Sequence, residues 1–170
     1  MMKKMNMKKI IIINSIYYPT IIGGAEISTK ILAEELNAEY EVTMLTTTRK
    51  KDKTIEEEID GVKVIRIPTT NAYWMPERDS AGKLQKIYWH FYDHFSVKQF
   101  QKVEKIVDEI KPDLILIQNT PGFGTKIWNL SKKYRVVQTL RDYKLIEPTN
   151  KKIFNKILGP VNQHRSNKVK

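Results

Sequence analysis

Four consecutive isoleucines, Ile10-Ile11-Ile12-Ile13, set between Lys9 and Asn14, leave few folds open to this chain. Successive side chains of a strand point to opposite faces, so this run is apolar on both. That is the pattern of a strand buried between two helix layers in a parallel sheet, and it is expected at the sheet's centre. The run is far too short for a membrane span or a signal-peptide core, despite the lysines before it. A loop over residues 15–24 leads into residues 25–36, where Ile27, Ile31, Leu32 and Leu36 have helical spacing. Glu41-Val42-Thr43-Met44-Leu45-Thr46 follows as a second strand. Strand, helix and strand make one unit, with the right-handed crossover such units have.

The alternation continues along the chain. Residues 50–60, dominated by Glu56, Glu57 and Glu58, read as a solvated connection, and Asp60-Gly61 is a turn signal. Val62-Lys63-Val64-Ile65-Arg66-Ile67-Pro68 alternates and then stops at proline, as expected of a third strand nearer the sheet edge. Apolar residues from Leu84 to Ile110 keep steps of three, four and seven, giving one long helix or two that abut near Ser96 and end at Lys111-Pro112. The fourth strand is expected over residues 113–118, a helix over 125–133 and the fifth strand over 134–140. The fold class is therefore α/β, a Rossmann-like doubly wound sheet of five parallel strands ordered 3-2-1-4-5.

Charge tests one class of partner. The 170 residues carry a net +11, enough to suggest nucleic acid if it lay on one face. It does not. Residues 1–9 hold +4 and residues 144–170 hold +6, while the 134 residues between them have 19 bases and 18 acids. Phosphate tracking needs bases gathered on the folded surface, so no nucleic acid is expected. With no cysteine there is no disulfide, thiolate metal site or thiol nucleophile, and three histidines offer little to a metal. A cytoplasmic protein with no metal and no cofactor is the expectation.

Ligands of open parallel sheets lie outside the carboxyl ends of the strands, so the loops there decide function. The first is the richest. Tyr17-Tyr18-Pro19-Thr20-Ile21-Ile22-Gly23-Gly24-Ala25-Glu26 sets two glycines directly before a helix, where bare backbone amides favour a phosphate or another anion. Taken by itself, the pair reads more readily as a tight turn with no ligand. The dinucleotide fingerprint is missing, since the second strand ends in Thr46-Thr47-Thr48 rather than an acid, and Pro121-Gly122-Phe123-Gly124-Thr125-Lys126 lacks the order of a Walker loop.

The order of these motifs resembles the amino-terminal half of family 4 (group 1) glycosyltransferases, bacterial enzymes of the GT-B fold that move sugars from nucleotide donors. The likeness rests on the first strand with Tyr17-Tyr18-Pro19 and Gly23-Gly24-Ala25-Glu26, on the second strand, and on Asp60-Gly61 with the third. It extends through Lys111-Pro112-Asp113-Leu114-Ile115-Leu116-Ile117-Gln118-Asn119 and Val136-Val137-Gln138-Thr139-Leu140-Arg141-Asp142-Tyr143. The resemblance implies that Gly23 and Gly24 line the interdomain cleft and meet the donor's phosphates or sugar. It places Tyr17, Tyr18, Glu26, Asn119, Arg141, Asp142 and Tyr143 towards the acceptor or a sugar. Arg141 stands where the family usually has histidine, and a guanidinium there would hold a phosphate or a sugar hydroxyl. Strand-end, capping and packing roles suit Asn119, Asp142 and Tyr143 equally. No catalytic residue is assigned.

Two further features complete the reading. Glu26 and Glu34 match the family's E-x7-E spacing, yet that motif belongs to its second domain, and the match is a coincidence. Tyr73-Trp74-Met75-Pro76 and the aromatic stretch from Tyr88 to Phe95 read as packing, with an acceptor groove or a membrane-facing surface as the functional alternative.

Residues 1–150 are thus expected to form a Rossmann-like acceptor-side domain, and residues 151–170 a short basic helix and tail built on Ile153, Phe154, Ile157 and Leu158. The carboxyl-terminal donor domain that the resemblance implies is not expected within these residues. The expected function is the acceptor-binding half of a glycosyltransferase in bacterial glycan synthesis, truncated and inactive alone. Its partners would be a nucleotide-sugar donor, a glycan or lipid-linked acceptor, the missing domain and, peripherally, the inner membrane face. A non-catalytic α/β binding or regulatory subunit is the alternative.

Overall fold

A computed structural model of the chain describes residues 7–50, 53–95 and 97–140. The chain divides into one unit ending at Thr139 and another from Leu140 to Lys170. All the secondary structure of the described residues belongs to the first, and the helix expected within residues 151–170 lies outside them.

Strand β1 (Lys9–Asn14) runs parallel between β2 (Glu41–Thr48) and β5 (Leu114–Asn119), with Ile12 facing Met44 on one side and Leu116 on the other. Beyond β2 lies β4 (Val62–Pro68), also parallel, and beyond β5 lies the short β6 (Val136–Gln138). These five strands keep the expected relative order. A sixth was not expected: β3 (Ile55–Ile59) pairs antiparallel with β4, so the full order is β3-β4-β2-β1-β5-β6.

The added strand corrects two expectations. Residues 55–59 are part of the sheet rather than a solvated connection, and β4, flanked on both sides, is not the edge. Asp60 and Gly61 join β3 to β4 with φ of 49° and 81°. Positive φ at both central residues is what a type I′ hairpin turn demands, and Gly61 meets it without strain. The edge itself shows Glu56, Glu57 and Glu58 to solvent, a charged rim that discourages pairing with another chain.

Helices cover both faces. Ile10 and Ile12 pack with Val42, Met44, Val62, Val64 and Ala33 of α1 (Gly24–Asn37). On the other face Ile11 and Ile13 join Leu45, Ile65, Ile115 and Ile117 beneath Val103 and Val107 of α3 (Val97–Ile110) and Ile127 and Leu130 of a 3₁₀ segment, Thr125–Lys132. That segment is the helix expected over residues 125–133, wound as a 3₁₀ helix. Each isoleucine of β1 is at least 95% buried, which stabilises the fold by about 1.5–3 kcal/mol apiece.

Helix α1 turns a different side inward from the one its isoleucines suggest. Glu26, Thr29 and Ala33 are buried, whereas Ile27 and Ile31 remain 49% and 56% exposed. The sheet-facing side thus includes the small Thr29 and Ala33. After β4, a second 3₁₀ turn (Met75–Ser80) precedes α2 (Lys83–Phe95), and α2 and α3 are separate helices on either side of Ser96. Lys111, at φ 54° with its N–H on the Val107 carbonyl, closes α3 before Pro112.

Candidate site at the carboxyl ends of the strands

Ser15 ties three strand ends together. Its N–H and its hydroxyl both reach the Asn119 carbonyl, at 3.2 and 3.1 Å, which binds the end of β1 to the end of β5. The Ser15 carbonyl accepts the Thr47 hydroxyl at 2.6 Å and its N–H at 3.2 Å, which adds β2. The indole N–H of Trp74, from the loop after β4, donates to Thr47 Oγ1 at 3.0 Å. Four carboxyl-edge segments therefore meet through one chain of hydrogen bonds, Trp74 to Thr47 to Ser15 to Asn119.

The glycine loop emerges at this edge. Gly23 precedes α1 with φ −162°, an ordinary extended conformation, and Gly24 is the first helical residue. A Cβ built on either would meet nothing within 4 Å. Neither backbone strain nor packing in this domain asks for glycine at these positions. Glu26 reaches back from the first turn, its carboxylate accepting the N–H of Gly23 at 2.8 Å and of Ile22 at 3.3 Å. Glycine has no side chain to return the bond, so this is half of a capping box. A buried carboxylate already seated on the Gly23 amide makes that amide a poor seat for a second anion.

The two tyrosines separate. Tyr17 is fully buried among Ile10, Ile12 and Met44, and burial first, then the nearby Glu34 carboxylate, pushes its hydroxyl above the ordinary tyrosine range. Its ring serves the core. Tyr18 is 39% exposed, with the Lys30 ammonium 5.4 Å from its ring centre. Arg66 of β4 holds the backbone of both: its guanidinium donates to the carbonyls of Tyr17 and Tyr18 and pairs with Glu57 of β3.

Asn119 ends β5 half-buried, where the loop from Ser15 also begins, so the structure brings these two sequence-selected segments together. Arg141, Asp142 and Tyr143 lie outside the described residues. Sequence reasoning passed over Ser15, Thr47 and Asp93. Asp93 of α2 accepts the Gly122 N–H at 2.7 Å and so fixes the loop after β5. The threonine run at residues 46–48 lacks the acid of a dinucleotide site, which draws attention away from its hydroxyls. Its hydroxyl at Thr47, placed at a strand end, was the available signal.

Trp74 neighbours an aromatic cluster. Tyr73 stacks on Trp89 at 5.7 Å between ring centres, and the Trp89 indole donates to the Tyr73 carbonyl at 3.1 Å. Burial raises the Tyr73 hydroxyl above its usual range. A cleft of about 500 Å³ opens elsewhere, lined by Glu41, Glu56, Glu57, Glu58, Asn37 and Lys63 among others. It lies at the amino end of β2, and its carboxylates repel phosphate. No three His, Asp or Glu gather as a metal site among the described residues.

Residues 21–169 match the family described as glycosyl transferase 4-like. The chain belongs to this family. A curated relative, an uncharacterized 42.6 kDa protein in the cps region of Klebsiella pneumoniae, is 38% identical over 144 residues, which are 84% of this chain. The chain spans 39% of that relative's length. Among solved structures, sucrose-phosphate synthase from Thermosynechococcus elongatus superposes on 88% of the chain with a TM-score of 0.56 at 17% identity, and 37% of that chain is covered. The sheet is therefore the Rossmann-like half of a GT-B fold. The carboxyl edge of this sheet carries Gly23, Gly24, Asn119 and Trp74.

Proposed function

We propose that this chain is the acceptor-side, amino-terminal domain of a glycosyltransferase. The enzyme would move a sugar from a nucleotide-sugar donor to a glycan or lipid-linked acceptor in bacterial glycan synthesis, at the cytoplasmic face of the membrane. The observation that carries this reading is the glycine pair. Gly23 and Gly24 sit at the carboxyl edge with neither conformation nor packing to require them. A glycine the domain itself does not need is suited to close approach by something from outside. The relative in a capsule (cps) region supports the choice of glycan synthesis.

Roles follow from the chemistry of each group. Glu26 is acceptor-only when ionised, so it suits a sugar hydroxyl and disfavours phosphate. The donor's sugar, rather than its phosphates, is then the part that passes over Gly23 and Gly24. Asn119 and Tyr18 would face the acceptor. Arg141, Asp142 and Tyr143 keep the roles that the resemblance gives them. Because donor contacts from one half of a cleft lack their opposing half, the 170-residue chain alone should transfer no sugar and bind nucleotide sugars weakly.

The test titrates a panel of nucleotide sugars against this chain and against the protein carrying a second domain, with product detection for both. Turnover only in the longer protein is expected. Robust transfer by the 170 residues alone would overturn the division of labour.

A further inference from the structure

The loop over residues 69–74, which leaves β4 at the carboxyl edge, is fixed residue by residue. Thr69 donates its N–H to the Thr48 carbonyl at 3.0 Å. Gln99 of α3, fully buried, accepts both the N–H and the hydroxyl of Thr70, at 3.1 and 3.0 Å. The Asn71 side chain accepts the Ala72 N–H at 2.8 Å and donates to the Trp89 carbonyl at 3.4 Å. The Trp89 indole holds the Tyr73 carbonyl, and the Trp74 indole donates to Thr47 Oγ1. A surface loop pinned by buried partners is a platform of the kind that carries binding residues. What this one brings to the carboxyl edge is Trp74, half-buried. Because its one donor is already engaged, the ring offers a ligand only an apolar surface with a negative face.

Polar groups gather around the same point. Thr47, which takes the indole bond, donates to the Ser15 carbonyl, and Ser15 in turn binds the Asn119 carbonyl. Thr47 also borders the loop after β5. A Cβ built on Gly122 would lie 3.8 Å from the Thr47 methyl, and the Gly122 N–H is held by the Asp93 carboxylate at 2.7 Å. We infer that Trp74 is a specificity-determining residue on which a neutral pyranose ring of the acceptor stacks. The C–H bonds along one face of a pyranose carry slight positive charge and suit the negative face of the indole, while its hydroxyls suit acceptors such as Asp93 and Asn119. A nucleotide base would stack as well, but it brings phosphates, and a carboxylate in a half-buried corner repels them. The inference rests on the acceptor-side reading of this domain and adds to it a residue and a substrate class.

The experiment is ligand-observed NMR, in which saturation passes from protein to the protons of a bound ligand. This chain is mixed separately with methyl β-glucoside, glucuronate and UMP. Two variants accompany it: Trp74→Leu removes the aromatic face, and Trp74→Phe keeps a ring but loses the bond to Thr47. Wild type should saturate the ring protons of the glucoside, those on one face ahead of those on the other, and should saturate glucuronate and UMP less. Trp74→Leu should weaken glucoside binding by about fivefold or more, whereas Trp74→Phe should keep most of it. Thermal melting registers the bond to Thr47 separately, because both variants lose it alike. Should the leucine variant melt below the working temperature, Trp74→Phe decides: retained one-sided saturation supports stacking, and its loss overturns it. No saturation of the glucoside by wild type, stronger saturation of UMP, or equal loss in both folded variants also overturns the inference. Since no turnover is read, such a failure is distinct from failure of the acceptor-side reading, which the transfer assay of the longer protein decides.

Discussion

Glu26 holds the N–H of Gly23 at 2.8 Å, so helix α1 supplies its own anion at its amino terminus. The carboxylate satisfies donors that the first turn leaves without helical partners, and its charge complements the helix dipole. Glu26→Ala should cost about 1 kcal/mol in urea unfolding. Glu26→Gln, which keeps an acceptor but loses the charge, should cost less. Equal stability of all three proteins would mean that the loop closes without this bond.

The glycine pair gives the opposite expectation for stability. With nothing within 4 Å of an added Cβ, Gly24→Ala should leave the domain as stable as wild type or up to about 1 kcal/mol more so, because alanine costs less entropy in a helix. Sugar transfer by the protein carrying its second domain should fall about tenfold or more with Gly24→Val, since an interposed side chain spoils a reacting geometry. Thermal melting measured beside turnover separates the two effects. A folded valine variant with unchanged kinetics would return the pair to a plain turn.

How much of this was legible in the sequence depends on what each segment buries. The isoleucines of β1 announce a central strand because both faces are apolar, and the five parallel strands follow in their right order. β3 stayed hidden because its middle residues, Glu56 to Glu58, stay in solvent and its pairing is through the main chain, which leaves no hydrophobic period. Its turn, Asp60-Gly61, was visible, but a turn alone does not say that the residues before it pair. Ile27 and Ile31 misled for a related reason: spacing identifies a helix, yet which side faces the sheet is decided by fit, and there Thr29 and Ala33 are the small residues. At the site, Ser15, Thr47 and Trp74 meet through hydrogen bonds across 32 and 27 residues, and no local pattern marks such a pairing.

Acid should act through a pair on the far face. Asp108 accepts the Tyr134 hydroxyl at 2.7 Å and sits 3.2 Å from the Lys133 ammonium, and the two, the tyrosine bond first, hold its carboxyl below the usual range. A carboxyl so depressed stabilises the fold above its unfolded value of about 3.9, and that contribution is lost as pH falls through the folded value. Tyr134→Phe removes the larger cause. The variant's melting temperature should therefore drop less than wild type's between about pH 7 and about pH 2.5. An equal drop in both would show that the pair carries no acid sensitivity.

Arg66 should prove the residue on which the shape of the glycine loop depends. Its side chain, only 10% exposed, spans from Glu57 on the edge strand to the carbonyls of Tyr17 and Tyr18, so one guanidinium links β3 and β4 to the loop leaving β1. A planar fork with several fixed donors can serve three acceptors at once, and a lysine ammonium on a flexible stem cannot do so in the same geometry. Arg66→Ala removes the guanidinium from the part-buried Tyr18 carbonyl, while the Tyr17 carbonyl keeps the Thr20 N–H, and should cost about 1–2 kcal/mol. Arg66→Lys should recover part of that through Glu57 while leaving the loop loosened. Hydrogen exchange reads the distinction, because amides of residues 20–24 should exchange faster in both variants, whereas those of β1 should change only as global stability does. Wild-type exchange in the loop of the alanine variant would show that Pro19 and the core-buried Tyr17 ring are enough to hold it.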